Sequence, residues 1–163
     1  MAELSDAEML LWRRFLRAHY HLIRLLDGDL RDAHGMTISE YDVLLQLSMA
    51  KSRRLRMRDL ANATLFSPSG LTRLCERLEA RGLVTREPAA DDQRGTIAVL
   101  TATGGKRLRA AAPTHLRGIR ERFISRVPDD EVQGLSEALK AIAGDPGDVA
   151  ESASHAVRGV GWK

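Results

Sequence analysis

The chain has 163 residues with a formal net charge of +3, of which 44% are hydrophobic and 29% charged, the balance of one soluble folded domain large enough to bury a core. No apolar run approaches the ~20 residues needed to cross a bilayer, the opening Met1-Ala2-Glu3-Leu4-Ser5-Asp6 lacks the basic start and apolar stretch of a secretion signal, and a single cysteine excludes an internal disulfide and fits the cytoplasm. Charge is uneven: residues 51–100 carry ten Lys and Arg against six acids, residues 1–50 five against eight, so positive charge gathers where a polyanion would dock.

In chain order, Ser5 with Glu8 three positions on predicts a capping box opening a helix over residues 5–33. Leu11, Phe15, Ala18, Leu22 and Leu25 make one apolar stripe on it, and Trp12, Leu16, Ile23, Leu26 and Leu30 make a second beside it. Together they exceed one core-facing stripe, so this helix packs against two things at once. Gly35 ends it, and Thr37 with Glu40 opens another helix. Met57 to Ala63 reads as a short helix and Thr64 to Phe66 as a turn. Ser67 then caps a helix with Pro68 at its first position, where the missing N–H costs nothing. Leu71, Leu74, Cys75 and Leu78 take its inner face, Ser69, Thr72, Arg73 and Glu76 its outer one, and Gly82 stops it. Leu83–Glu87 and Thr96–Leu100 are β-prone runs around a polar loop from Pro88 to Gly95, which predicts a two-stranded hairpin. Thr101–Arg126 reads as a long helix bent at Pro113, and Pro128-Asp129-Asp130-Glu131 as the start of a last helix ending near Ala143. From Gly144 the composition has little to bury, which predicts a flexible tail over 144–163.

The segment Ser67 to Val84, followed by Asp92-Gln93-Arg94, Leu100-Thr101 and Gly104, resembles the MarR family of bacterial transcriptional regulators, whose wing carries Asp-x-Arg and then Leu-Thr-x-x-Gly. The resemblance covers roughly residues 8–143. It implies a mainly α fold with a small β-hairpin wing, a winged helix-turn-helix over 39–100 and dimerisation helices at 5–35 and 101–143 within a single domain of residues 1–143. It further implies an obligate homodimer that binds double-stranded DNA, typically as a repressor released by a small aromatic or phenolic effector.

A helix fits the major groove, and the outer face of its N-terminal half reaches base edges, so Ser67, Ser69, Thr72 and Arg73 are candidates for base reading. A bidentate Arg73 contact to guanine would contribute about 1–3 kcal/mol of discrimination. Arg77, one turn on, suits a phosphate, and Arg94 at the hairpin tip suits a narrow minor groove. By resemblance Asp92 pairs with Arg94 and Arg86 supports the wing or touches the DNA backbone. Lys51, Arg53, Arg54, Arg56 and Arg58 are candidates for phosphate contact. Each has a bland alternative, because such a run is often a solvated face and Arg77 or Arg86 can equally pair with Glu76 or Glu87. Trp12 and His19 lie near where the family's aromatic ligands settle, although core packing or the dimer seam also explains Trp12. Cys75 reads as a buried small hydrophobe, not a redox sensor. The five histidines show no ligand spacing, so neither metal nor cofactor is expected. A winged-helix docking module that never grips DNA would not need the basic bias of residues 51–100, and no triad, carboxylate pair or phosphate loop argues for an enzyme.

Overall fold

Ser5 and Gly35 set the two ends of the first helix. In the computed structural model, which describes residues 3–64, 66–89 and 92–143 with only the backbone of 92–94, the Glu8 N–H donates to the Ser5 hydroxyl at 3.3 Å and the Ser5 N–H donates to the Glu8 carboxylate at 2.7 Å. This reciprocal cap opens α1 (Asp6–His34), and Gly35 closes it in the left-handed region at φ 57°, where a Cβ would be strained. Thr37 and Glu40 repeat the device at 3.0 and 2.9 Å and open α2 (Ile38–Met49) directly afterwards. The predicted starts of both helices are therefore met, because capping depends only on neighbours in the chain.

A strand then appears where the sequence showed a run of cations. Arg54–Arg56 forms β1, ahead of α3 (Met57–Thr64) and α4 (Pro68–Ala80). The stretch is too short to show an alternating pattern; it is a strand because Arg54, Leu55 and Arg56 pair with Val99, Ala98 and Ile97 of a distant one. Beyond α4, β2 (Val84–Ala89) and β3 (Asp92–Leu100) run antiparallel, and the sheet order is β1-β3-β2. The wing thus has three strands, not two, and β2 and β3 extend into the polar loop predicted for Pro88 to Gly95. Backbone pairing such as Pro88 with Thr96 carries the ladder on without apolar side chains.

Thr101 caps α5 (Ala102–Arg122) by accepting the Gly104 N–H at 2.9 Å. The helix runs through Pro113 and stops at Arg122, short of the predicted Arg126, where Ile124–Arg126 turns as a 3-10 helix. The last helix, α6 (Val132–Ala143), also starts later than Pro128. The Glu131 N–H donates to the Pro128 carbonyl at 2.9 Å and the Glu131 carbonyl accepts the Leu135 N–H at 2.9 Å, so Asp129 and Asp130 lie in a turn that leads directly into the helix. The stretch 144–163, predicted to be a flexible tail, lies outside the described residues.

One buried cluster joins the α1–α2 corner (Leu30, Met36) to Val43, Leu44 and Leu47 of α2, Leu60 of α3, the inner face of α4 and Val84, Ala98 and Leu100 of the sheet. Leu108 and Ala111 of α5 complete it. Each such leucine contributes about 1.5–3 kcal/mol on burial, so the lobe holding α4 and the sheet is well braced. The rest of α5 packs antiparallel to α1. His34 bonds Thr114 at 2.9 Å, Arg122 grips Asp29 with two N–H groups, one at 2.9 Å, and Gly118 leaves room for Leu26.

Candidate nucleic-acid interface

Two faces of α4 have opposite characters, and this division builds the site. Leu71, Leu74, Cys75 and Leu78 are buried, whereas Ser67, Ser69, Thr72, Arg73, Glu76 and Arg77 are exposed. Ser67 caps the helix by accepting the Gly70 N–H at 3.2 Å, and Thr72 donates to the Pro68 carbonyl at 2.9 Å, which leaves its oxygen lone pairs outward. Arg73 has no ion pair among the described residues. Arg77 points back along the helix, its guanidinium 3.4 Å from the Arg73 carbonyl. The N-terminal half of α4 therefore offers hydroxyls and a free guanidinium on an anchored rod, the geometry a major groove accepts.

On the inner face of that rod sits Cys75. It is a free thiol, fully buried, and desolvation pushes its pKa up to about 11, so it stays protonated and packs as a hydrophobe.

Arg86 is tied down. Its N–H and Nε donate to the two Glu79 oxygens at 3.0 and 2.8 Å, and its guanidinium lies 3.6 Å from Glu76. The Arg86 hydrogen bond in turn holds the Glu79 carboxyl below the ordinary range. Arg86 thus clamps β2 to α4. Of the two partners the sequence offers, Glu76 lies within ion-pair reach and Glu87 does not; the main partner, Glu79, one residue before the end of α4 and facing the wing, is not among them. Glu87 instead meets Arg54 of β1, across the central strand β3. Of the other cations in this stretch, Lys51 and Arg53 are exposed ahead of α3, and Arg58, in its first turn, pairs with Asp59 at 3.4 Å. Ser52 and Arg53 both have positive φ, 58° and 57°, an uncommon pair for residues with a side chain. Asp92 and Arg94 belong to β3, but their side chains, and so their expected pairing, lie outside what is described.

Trp12 and His19 stand on α1 in an exposed aromatic row: Trp12 stacks on Phe15 with centroids 5.9 Å apart, and Phe15 on His19 at 6.4 Å. His19 lines a groove of about 700 Å³ formed by α1, α6 and the chain around Phe123, together with Leu11, Phe15, Leu22, Leu135 and Leu139; Trp12 does not. All five residues of the first predicted stripe of α1 line this groove, whereas Leu26 and Leu30 of the second are buried. Among the described residues, none of the lobe contributes to it. Among the described residues no group of His, Cys, Asp and Glu could hold a metal ion, and no helix is long and apolar enough to cross a membrane.

This architecture has known counterparts. A family model described as MarR family matches residues 34–95. The chain is similar to AbsC, a MarR family transcriptional regulator from Streptomyces coelicolor, at 38% identity, covering 88% of this chain and 96% of that one with a TM-score of 0.81. It is similar as well to Sco3205 of the same organism, a MarR family transcriptional regulator solved in complex with DNA, at 34% identity over 88% of this chain and 89% of that one, TM-score 0.84. The HTH-type transcriptional regulator YkoM of Bacillus subtilis is 28% identical over 138 residues, 83% of this chain and 86% of its own length.

Proposed function

We propose that this chain, which belongs to the MarR family of transcriptional regulators, is a cytoplasmic homodimer that represses transcription by gripping a pseudo-palindromic operator and lets go when a small aromatic or phenolic compound binds. The observation that carries DNA reading is the outward face of α4, where Ser69, Thr72 and Arg73 project from a helix whose other face is locked into the core. Similarity to Sco3205, solved with DNA, supports the same role here.

In this reading Ser67, Ser69, Thr72 and Arg73 face base edges and Arg77 meets a phosphate. Arg94 enters the minor groove beside the wing, steadied by Asp92. Arg86, engaged by Glu79, holds the wing at its angle to α4, and Arg54, engaged by Glu87, braces β1 against β2 within the sheet, with their outer N–H groups turned to the sugar-phosphate backbone. Dimerisation is supported by the apolar groove of α1 and α6. Leu11 is 70% and Phe15 39% exposed in the single chain, a patch that a lone soluble protein rarely leaves wet. A second copy covering it would set two α4 helices about one turn of duplex apart, near 34 Å. His19 in the groove and Trp12 beside it are the proposed contacts for the aromatic effector, which would act by favouring a different lobe separation.

The test is footprinting on the DNA flanking the coding region, with sedimentation of the free protein. A two-fold symmetric, salt-sensitive footprint and a dimer are expected. A monomer that protects no duplex even at low salt would refute the proposal.

A further inference from the structure

The C-terminal end of α4 is held by a second charged contact that plays no part in reaching DNA. Arg81, the residue that ends the helix, donates to the Glu40 carboxylate at 3.1 Å and to the Gly35 carbonyl at 3.1 Å. Glu40 is only 5% exposed and its same oxygen accepts the Thr37 N–H at 2.9 Å. One carboxylate therefore closes the start of α2 and receives the end of α4, while the Gly35 carbonyl belongs to the residue that ends α1. Three helices meet on one guanidinium. Two residues earlier Glu79 grips Arg86 of β2, so the wing and the α1–α2 corner are attached to the same turn of α4 through different side chains.

Resting on the reading of α4 as the DNA-reading helix, we propose that Arg81 and Glu40 form the joint that sets the tilt of α4 against α1, which makes Arg81 a positioning residue for base recognition. Arg81 stands about 20 Å along the helix from Ser67 at 1.5 Å per residue, so it acts on base contacts only through the rod. Leverage makes the joint matter: Arg73 lies about 12 Å from it, and a tilt of about 10° there carries Arg73 about 2 Å, beyond the tolerance of a bidentate hydrogen bond. The chemistry suits the task. A buried carboxylate needs a charged partner, and the planar guanidinium reaches two acceptors at fixed angles, which a lysine ammonium does not do with the same geometry. The joint also gives a displacement of α1 a direct route to α4 without passing through the wing.

The experiment selects duplexes from a randomised library with the full-length wild type, then compares Arg81→Ala, Arg81→Lys and Glu40→Gln on the selected duplex and on a scrambled one of equal length. Arg81→Ala and Glu40→Gln are expected to bind the scrambled duplex with wild-type affinity and salt slope, yet to lose about tenfold or more of the preference for the selected one, the scale of one base contact. Arg81→Lys should recover only part of it. Glu40→Gln keeps the side-chain shape and an oxygen for Thr37, so it covers the case in which Arg81→Ala fails to fold. Selection of no sequence by the wild type would sink the DNA-reading premise and the joint with it. Unchanged preference in folded variants of a sequence-selecting wild type, or equal losses on both duplexes, would overturn the joint alone.

Discussion

Replacing Gly104 or its neighbour Gly105 by alanine is the same chemical change with opposite expected results. At Gly104 an added Cβ would lie 2.1 Å from the Leu83 carbonyl oxygen, 3.0 Å from its carbon and 2.8 Å from Leu100 Cδ1. Relief requires the chain to retreat by about 1 Å, the shortfall from ordinary van der Waals contact. The carbonyl is not free to give way, because it accepts both the N–H and the hydroxyl of Thr101, at 3.2 and 3.0 Å. Overpacking of this kind costs about 1–3 kcal/mol, and the position is at the severe end because the obstacle is backbone. Alanine returns up to about 1 kcal/mol of helix propensity, less in a first turn. Gly104→Ala should therefore lose about 2 kcal/mol. At Gly105 the nearest atoms are Arg109 Nη1 at 3.5 Å and Leu100 Cδ2 at 3.9 Å, ordinary contacts, so Gly105→Ala should gain about 0.5–1 kcal/mol. For a chain of this size 1 kcal/mol moves Tm by about 2–4 °C, so the two variants should melt roughly 5–12 °C apart. Circular dichroism melts at one fixed protein concentration measure this, since a dimer's Tm depends on concentration. A Gly104→Ala protein as stable as the wild type would refute the packing argument at the α4–wing–α5 junction.

Arg94→Ala should weaken binding to every duplex and lower the salt slope by about one, while Arg73→Ala should relax base preference at one position by about 1–3 kcal/mol; fluorescence anisotropy across salt and across point-mutated duplexes separates the two. Phe15→Asp, in the apolar groove of α1, should raise the dimer dissociation constant at least about a hundredfold, since each buried aromatic contributes about 1.5–3 kcal/mol and a two-fold interface counts it twice; sedimentation equilibrium reads this, and an unaltered dimer would move the interface elsewhere. Cys75 should resist iodoacetamide at pH 8 until the chain is unfolded. Its folded pKa of about 11 stands above the ordinary 9.0, so its contribution to stability is complete below about pH 9 and is lost as pH climbs through about 11. Cys75→Ala should flatten that alkaline limb of a denaturation series, although cavity formation lowers stability throughout.

How much of this was legible in advance divides by distance along the chain. Both capping boxes, the Gly35 terminus, the Ser67-Pro68 start of α4 and the buried face of Leu71, Leu74, Cys75 and Leu78 depend on residues within a few positions of one another, and all were readable. Of the candidate interface, the outward residues of α4 were legible for the same reason. The strand at Arg54–Arg56 was not, because its order comes from Val99, Ala98 and Ile97. Nor were the main partner of Arg86 or that of Arg54, since composition lists several glutamates and only folding brings Glu79 and Glu87 to them, although Glu76, which the sequence offers, does lie within ion-pair reach of Arg86. The late start of α6 escaped because the acids of residues 129–131 suit a turn as well as a first helical turn.

The amino-acid sequence by itself determined where α1, α2 and α4 begin, where α1 ends and which face of α4 turns outward, because capping and periodicity are local properties of the backbone. Tertiary structure alone decided that the wing has a third strand, that Arg81 and Glu40 tie α4 to the α1–α2 corner, and that Leu11 and Phe15 of α1 stay open while Leu26 and Leu30 are covered. Each of these requires groups far apart in the chain to meet, and their encounter depends on how the whole core closes.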